Sequence, residues 1–273
     1  MPIVKLPFGE VLTESFGFFF ANLRLFFHLV TIPWIMSVGI RLFGAAVAPE
    51  SLFAALLERA VDVIPTVMFM MAWQRVVLLG HGRLDRLPGL CWSARESAYL
   101  VHLIKVAGVT FLLGGAFVFT MSAIDPSAFE AGGPSNPESM RHQAMAAPLG
   151  VGFMVSMLLA LRVSYGLAAT AVDVPFSPRL SWAYSRGNAW SIIAMLFLTL
   201  FLAGIVTLVA TYFVGGLMSG VLGAREGAAV VTWTVAMLIS YAGTGIAVTV
   251  QAVVFRRLLG WREGAQLPAL SPS

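Results

Sequence analysis

Charge is what this sequence has least of. Only 11% of its 273 residues are Asp, Glu, Lys or Arg, while 59% are hydrophobic and the mean hydropathy is +0.87. Soluble domains average about 25% charged residues. A water-soluble globule of this length still leaves roughly a quarter of its chain surface exposed, too much to keep such a composition dry. The bilayer must therefore be part of the solvent.

Other scarcities narrow the reading further. Cys91 stands alone, so no internal disulfide can form, and it reads as a packing residue. Lysine is confined to Lys5 and Lys105 beside fifteen arginines, which together with abundant Ala and Gly points to a GC-rich bacterial genome. The net charge of +4 comes without a long basic run, which argues against nucleic acid as a partner. There is no H-E-x-x-H, G-x-S-x-G, P-loop or Cys/His metal spacing. His28, His81, His102 and His142 are scattered over different segments. The sequence thus nominates no catalytic residue, no metal and no cofactor. No Ser- or Pro-rich linker divides the chain, so 1–273 reads as a single integral membrane domain. The start, MPIVKLPFGEVLTESFGFFF, carries Glu10 and Glu14 where a signal peptide needs an apolar core, and is expected to remain in the mature protein.

What is present is a set of long apolar runs. A membrane helix needs ~20 mostly apolar residues, and six segments meet that requirement: about 25–47, 60–80, 103–124, 149–171, 190–214 and 228–255. Barrel strands would be ~10-residue alternating segments, so the fold class is all-α, a polytopic membrane helix bundle. With the N-terminus inside, Lys5, Arg24, Arg75, Arg83, Arg86, Arg95, Lys105, Arg162, Arg179, Arg186, Arg256, Arg257 and Arg262 lie on the cytoplasmic side. Only Arg41, Arg59, Arg141 and Arg225 lie outside. This asymmetry obeys the positive-inside rule and predicts cytoplasmic N- and C-termini. The outer segment 125–148, with Gly132, Gly133, Pro134 and Pro137, reads as a flexible connector, and 261–273 as a cytoplasmic tail.

The stretch SPRLSWAYSRGNAW, 177–190, packs Arg179, Arg186, Trp182, Tyr184 and Trp190 between two apolar runs. Ser177 and Pro178 suit a helix start, Gly187 a stop, and Asn188 a cap for the next span. On a helical wheel Leu180, Ala183, Tyr184, Gly187 and Trp190 share one side and Ser181, Ser185 and Asn188 the other. Such a helix lies in the cytoplasmic interface, its arginine stems along lipid and their heads at phosphate. Two more stretches match it. ESFGFFFANLRLFF (14–27) aligns Ser15, Phe16 and Asn22 with Ser181, Trp182 and Asn188, and LCWSARESAYLVHL (90–103) places Trp92 in the aromatic position beside Arg95. The even-numbered spans end alike, in RVVLLG (75–80), RVSYG (162–166) and RRLLG (256–260). These features predict three pseudo-repeats, about 8–80, 81–171 and 172–260, each an interfacial helix followed by two spans.

The run RVSYGLAATAVDVPFSPRLSWAYSRGNAWSII (162–193) resembles the signature region of a bacterial family of six-span membrane domains. These occur alone or fused in front of glycerophosphodiester phosphodiesterases. Arg162, Asp173, Ser181, Trp182, Arg186, Gly187 and Asn188 carry the resemblance. It implies a bacterial inner-membrane protein and supplies no active site, because the phosphodiesterase portion is absent from this sequence.

The expected partners are therefore the lipid bilayer and anionic lipid. Candidate headgroup or interface residues are Arg179, Arg186, Trp182, Trp190, Trp92 and Arg95. Arg162 and Arg75 are candidate intramembrane charges, since a charge at that depth is costly and commonly functional. Glu58, Arg59 and Asp62 read as an outer interfacial cluster. Gly216-x-x-x-Gly220 and Gly243-x-x-x-Ala247 are spaced for close helix contact. The leading functional expectation is a non-enzymatic inner-membrane protein in envelope or lipid homeostasis. A small transporter or lipid-handling permease comes second, and a membrane enzyme or regulatory partner in glycerophospholipid metabolism third.

Overall fold

The computed structural model describes residues 5–47, 52–80, 92–124, 155–156, 158–164, 166–174, 178–222 and 226–262. The expectations for the 125–148 connector, for His81, Arg83, Arg86, Cys91 and His142, and for the tail beyond Arg262 fall outside them. Among the described residues the secondary structure is helical, with no strand. The elements are α1 (Phe8–Ala21), α2 (Leu23–Val47), α3 (Leu52–Leu79), α4 (Ala94–Ile124), α5 (Leu158–Ala171), α6 (Pro178–Tyr184), α7 (Ala189–Leu222) and α8 (Glu226–Leu259). Five of them, α2, α3, α4, α7 and α8, are long and apolar enough to cross a membrane, and α5 is a shorter apolar helix. The chain is thus a multi-pass membrane protein by length and composition.

Burial sorts the helices into two classes. About two thirds of α8 and just over half of α3 are enclosed, against roughly a quarter of α2, α4 and α7. The two enclosed helices form the centre. The α7 helix turns a long apolar face outward, from Phe197 through Val209 to Val221, as lipid-facing helices do. Pro33 and Pro65 lie inside α2 and α3. Near the first, the Tyr241 hydroxyl lies 3.4 Å from the Pro33 carbonyl. An aromatic cluster of Phe19, Phe26, Phe69 and Trp73, with mostly edge-to-face contacts, packs the junction of α1, α2 and α3. Trp73 satisfies its buried indole N–H on Thr249 Oγ1 of α8, at 2.8 Å, as a buried tryptophan must.

The first and last described segments of the chain meet. Leu6, Val11, Leu259 and Trp261 belong to one buried cluster, and Trp261 lies 5.9 Å from Phe255. Trp261, expected to open the tail, is instead part of the core. The face carrying Leu6 and Trp261 is called the termini face below.

Several local expectations need correcting. The helix expected before the third span is not separate: residues 94–103 are the first turns of α4, started by a capping box in which the Ser93 N–H and hydroxyl bond Glu96. Arg162-to-Gly166 is not a helix end either. The α5 helix runs on to Ala171, and the left-handed residue that follows is Asp173, with φ 58°. Gly80 at φ 83° and Gly260 at φ 59° close α3 and α8 in the same conformation. Gly216 and Gly220 have no neighbouring atom within 4 Å of an added Cβ, whereas one on Gly243 would lie 2.5 Å from the Ala203 Cβ of α7. Among the described residues only the second small-residue spacing serves contact.

Candidate membrane-interface site

The termini face is built from arginines that each tie down a neighbouring element. Arg162 leaves α5 and reaches the α6 segment. Its Nε donates to Ser185 Oγ at 2.8 Å and its Nη2 to the Trp182 carbonyl at 3.2 Å, while its guanidinium stacks 3.6 Å from the Trp182 ring centre. Two candidate residues from separate classes thus form one contact. The cation is held by an aromatic face and two oxygens rather than open to a solute, a geometry arginine's flat fork suits better than lysine's ammonium.

Arg75, unlike Arg162, is buried, and donates from Nη1 to the Ala171 carbonyl at 2.9 Å. A helix leaves its last carbonyls without intrahelical partners and its C-terminus partially negative, so Arg75 caps α5 and matches its dipole. Asp173, just beyond, accepts from Arg95 Nε at 3.0 Å and lies 3.8 Å from Arg75. Arg75 and Arg95, from α3 and α4, converge on the exit of α5. Trp92 donates its indole N–H to Ser97 at 2.7 Å and leaves part of its ring exposed.

On the other side Arg256 and Arg257 hold α1. Arg256 pairs with Glu14, and Arg257 bridges Glu14 at 2.7 Å and Glu10 at 3.0 Å. The two acids that break the signal-peptide pattern are the ones that pair α1 with α8. Asn188 works at long range as well: its Oδ1 accepts the Leu6 backbone N–H at 2.9 Å, joining the start of α7 to the start of the chain.

The α6 helix is oriented by these contacts. Ser181, Ser185 and Asn188, the polar side of the wheel, are buried, while Arg179, Ala183, Arg186 and Gly187 are exposed. Trp190 is 78% exposed and Trp182 45%. The small hydroxyls and the amide face protein, and the arginines and indoles face outward. Burial pushes the Tyr184 phenol up from its ordinary range. A concave surface of about 590 Å³ lies at the comparable α1–α2 elbow, lined by Asn22, Arg24, Phe27 and His28.

Two polar features were not predicted. Gln74 of α3, Gln251 of α8 and Ser164 of α5 form a buried relay: Gln74 Nε2 donates to Gln251 Oε1, and Gln251 Nε2 to Ser164 Oγ, each at 3.2 Å. No one of them stands out in the sequence, and only their convergence marks them. The second is a cleft of about 240 Å³ between α2, α3 and α8 at the opposite end of the bundle, which includes Arg59 and Asp62. The sequence places those two together but gives no sign of the α8 wall. No family model matches this chain, and neither does any curated protein or any solved structure.

Proposed function

We propose that this chain is a non-enzymatic bacterial inner-membrane protein that engages anionic lipid headgroups along its cytoplasmic face, in envelope or lipid homeostasis. The observation that carries this reading is the orientation of α6. Arg162 fixes the helix from the protein side and leaves Arg179, Arg186 and the Trp190 indole pointing away from the bundle. A cationic and aromatic surface of this kind suits the headgroup layer. The Arg24 and His28 surface at the first elbow supports it.

In the same reading the termini face is cytoplasmic and the spans number six, in three pseudo-repeats, as in the six-span family that 162–193 resembles. Described residues near both ends on one face call for an even number of crossings, and the apolar run 149–171 of the sequence, which contains α5, is the proposed sixth. The repeat idea draws support from the three left-handed closures at Gly80, Asp173 and Gly260. It also draws support from the way Arg162 and Arg256/Arg257 each grip the interfacial helix of another unit. Reporter fusions after Pro134 should signal the periplasm and fusions at the C-terminus the cytoplasm; the reverse at either site ends the topology.

Anionic lipid attracts each surface arginine by about 1 kcal/mol. Replacing both Arg179 and Arg186 by Gln should therefore weaken preference for anionic lipid about thirtyfold at ~1.4 kcal/mol per decade. Spin labels for this test belong at Ala183 and Gly187, which are exposed, and not at the buried Ser181 and Ser185. Unchanged lipid preference in the double variant would refute the assignment. The cleft at the opposite end keeps a second reading, a small permease, in view.

A further inference from the structure

The cleft between α2, α3 and α8 lies far from the arginines of the termini face. Asp62 is roughly 20 Å along α3 from Arg75, at about 1.5 Å per residue. In the proposed topology the hydrocarbon layer is about 30 Å thick and Asp62 lies inside the apolar span Leu56–Leu79, below the opposite surface. One of its carboxylate oxygens, Oδ1, is buried with no hydrogen-bond partner among the described residues. An unmatched buried carboxylate oxygen is expensive, and ionisable groups at such depth commonly mark a site. Arg59, one turn nearer the surface on α3, and Arg41 of α2 also line the cleft; Arg41 is paired with Glu58 at 3.2 Å. The opposite wall is Tyr241, its hydroxyl 2.8 Å from Ser37 Oγ, and Ser240.

The charges are ordered by depth: the Asp62 carboxylate inside, and nearer the surface Arg59 with the Arg41–Glu58 pair, which together leave one net positive charge. A simple cation entering would pass that positive level, and a simple anion would meet Asp62. A molecule carrying both charges a few ångströms apart satisfies both ends. We infer that this cleft binds a small zwitterion, a primary ammonium seated on Asp62 and a phosphate or carboxylate held toward Arg59 and Arg41. The volume of about 240 Å³ is below the ~300 Å³ at which drug-sized sites begin, which sets the size class. A bilayer lipid with an ethanolamine headgroup has the same two charges in the opposite order, phosphate deeper than amine, so the depth order favours a free water-soluble compound. This site is independent of the lipid contact at α6.

The test uses the full-length protein in phosphatidylcholine nanodiscs, titrated calorimetrically with O-phosphoethanolamine. Saturable binding is expected, at least tenfold tighter than for ethanolamine or inorganic phosphate alone. Asp62→Asn should weaken it tenfold or more without lowering the unfolding midpoint, since the amide keeps the shape and Oδ1 has no hydrogen bond among the described residues to lose. Arg59→Gln should weaken it less. Ser240→Trp, on the exposed rim, should block it, and keeps the test decisive if Asp62→Asn folds poorly. No binding, binding indifferent to these substitutions, or equal binding of ethanolamine alone overturns the inference. So does an effect that appears only when phosphatidylethanolamine replaces phosphatidylcholine, which would assign the cleft to lipid.

Discussion

Replacing Arg162 by Gln should release α6 while leaving the spans in place. The side chain contributes a stack on Trp182 at 3.6 Å and hydrogen bonds at 2.8 and 3.2 Å to Ser185 and the Trp182 carbonyl. A partly desolvated cation–aromatic contact is worth about 0.5–2 kcal/mol, and a hydrogen bond from a charged group about 1.5–3 kcal/mol. Arg162 is partly exposed, which favours the lower ends, and glutamine recovers one neutral hydrogen bond. The net loss is then ~2–3 kcal/mol, equivalent to roughly 30- to 150-fold in the opening equilibrium of the segment. Hydrogen exchange of the 178–188 amides in nanodiscs reads that factor directly. Lysine at 162 keeps the charge without the flat face and should fall between. Trp182→Ala combined with Arg162→Gln should be no worse than the sum of the singles less the shared stack, since residues in contact couple. Exchange within threefold of the parent in Arg162→Gln would falsify the clamp and return Arg162 to the role of an unattached interfacial charge.

Three further outcomes are expected. Gly243→Ala should cost about 1–3 kcal/mol by overpacking against Ala203, read as a lower unfolding midpoint, while Gly216→Ala and Gly220→Ala should leave it unchanged; equal effects at all three would contradict the α7–α8 contact. Asp173→Gly keeps the left-handed turn and loses the Arg95 pair, whereas Asp173→Val adds ~1–2 kcal/mol of backbone strain, so valine should be the less stable in thermal unfolding. Glu14→Gln should cost no more than ~1 kcal/mol, its arginine partners being partly exposed, but Val11→Asp, at a fully buried position of α1, should free the N-terminal segment to limited proteolysis; the reverse ranking would mean that charge, not burial, docks α1.

The long apolar helices were legible because a bilayer demands a fixed length: α2 was expected from 25 and begins at Leu23, and α8, expected over 228–255, runs Glu226–Leu259. The start of α4 was misread because Trp92 and Arg95 imitate the interfacial composition of α6. What distinguishes them is the breaker: Asn22 and Arg186-Gly187-Asn188 interrupt the chain, and nothing between Ser97 and Leu103 does. Asn188 obeyed its local rule by position, yet its side chain serves Leu6 across the whole sequence, a pairing no window can show. Polar periodicity likewise cannot tell a wet face from a buried one in a membrane protein, so the Ser181/Ser185/Asn188 side was seen but not its direction. Arg162 stood out as a lone charge, and its partner was the neighbouring segment already singled out for other reasons.

The length of α7 has a mechanical consequence. Its apolar shaft of 33 residues extends roughly 50 Å at 1.5 Å per residue, against about 30 Å of hydrocarbon. A common tilt of ~20° shortens the projection by only about 3 Å. Tyr212, Phe213, Leu217 and Val221, all exposed, therefore stand beyond the ordinary reach of acyl chains. Either the lipids on that side stretch upward around the helix, or its upper turns lean far over. In both cases the energy rises with each ångström of thinning. The protein should accordingly partition into thicker bilayers, and nanodiscs of short-chain lipid should lower its unfolding midpoint relative to long-chain ones.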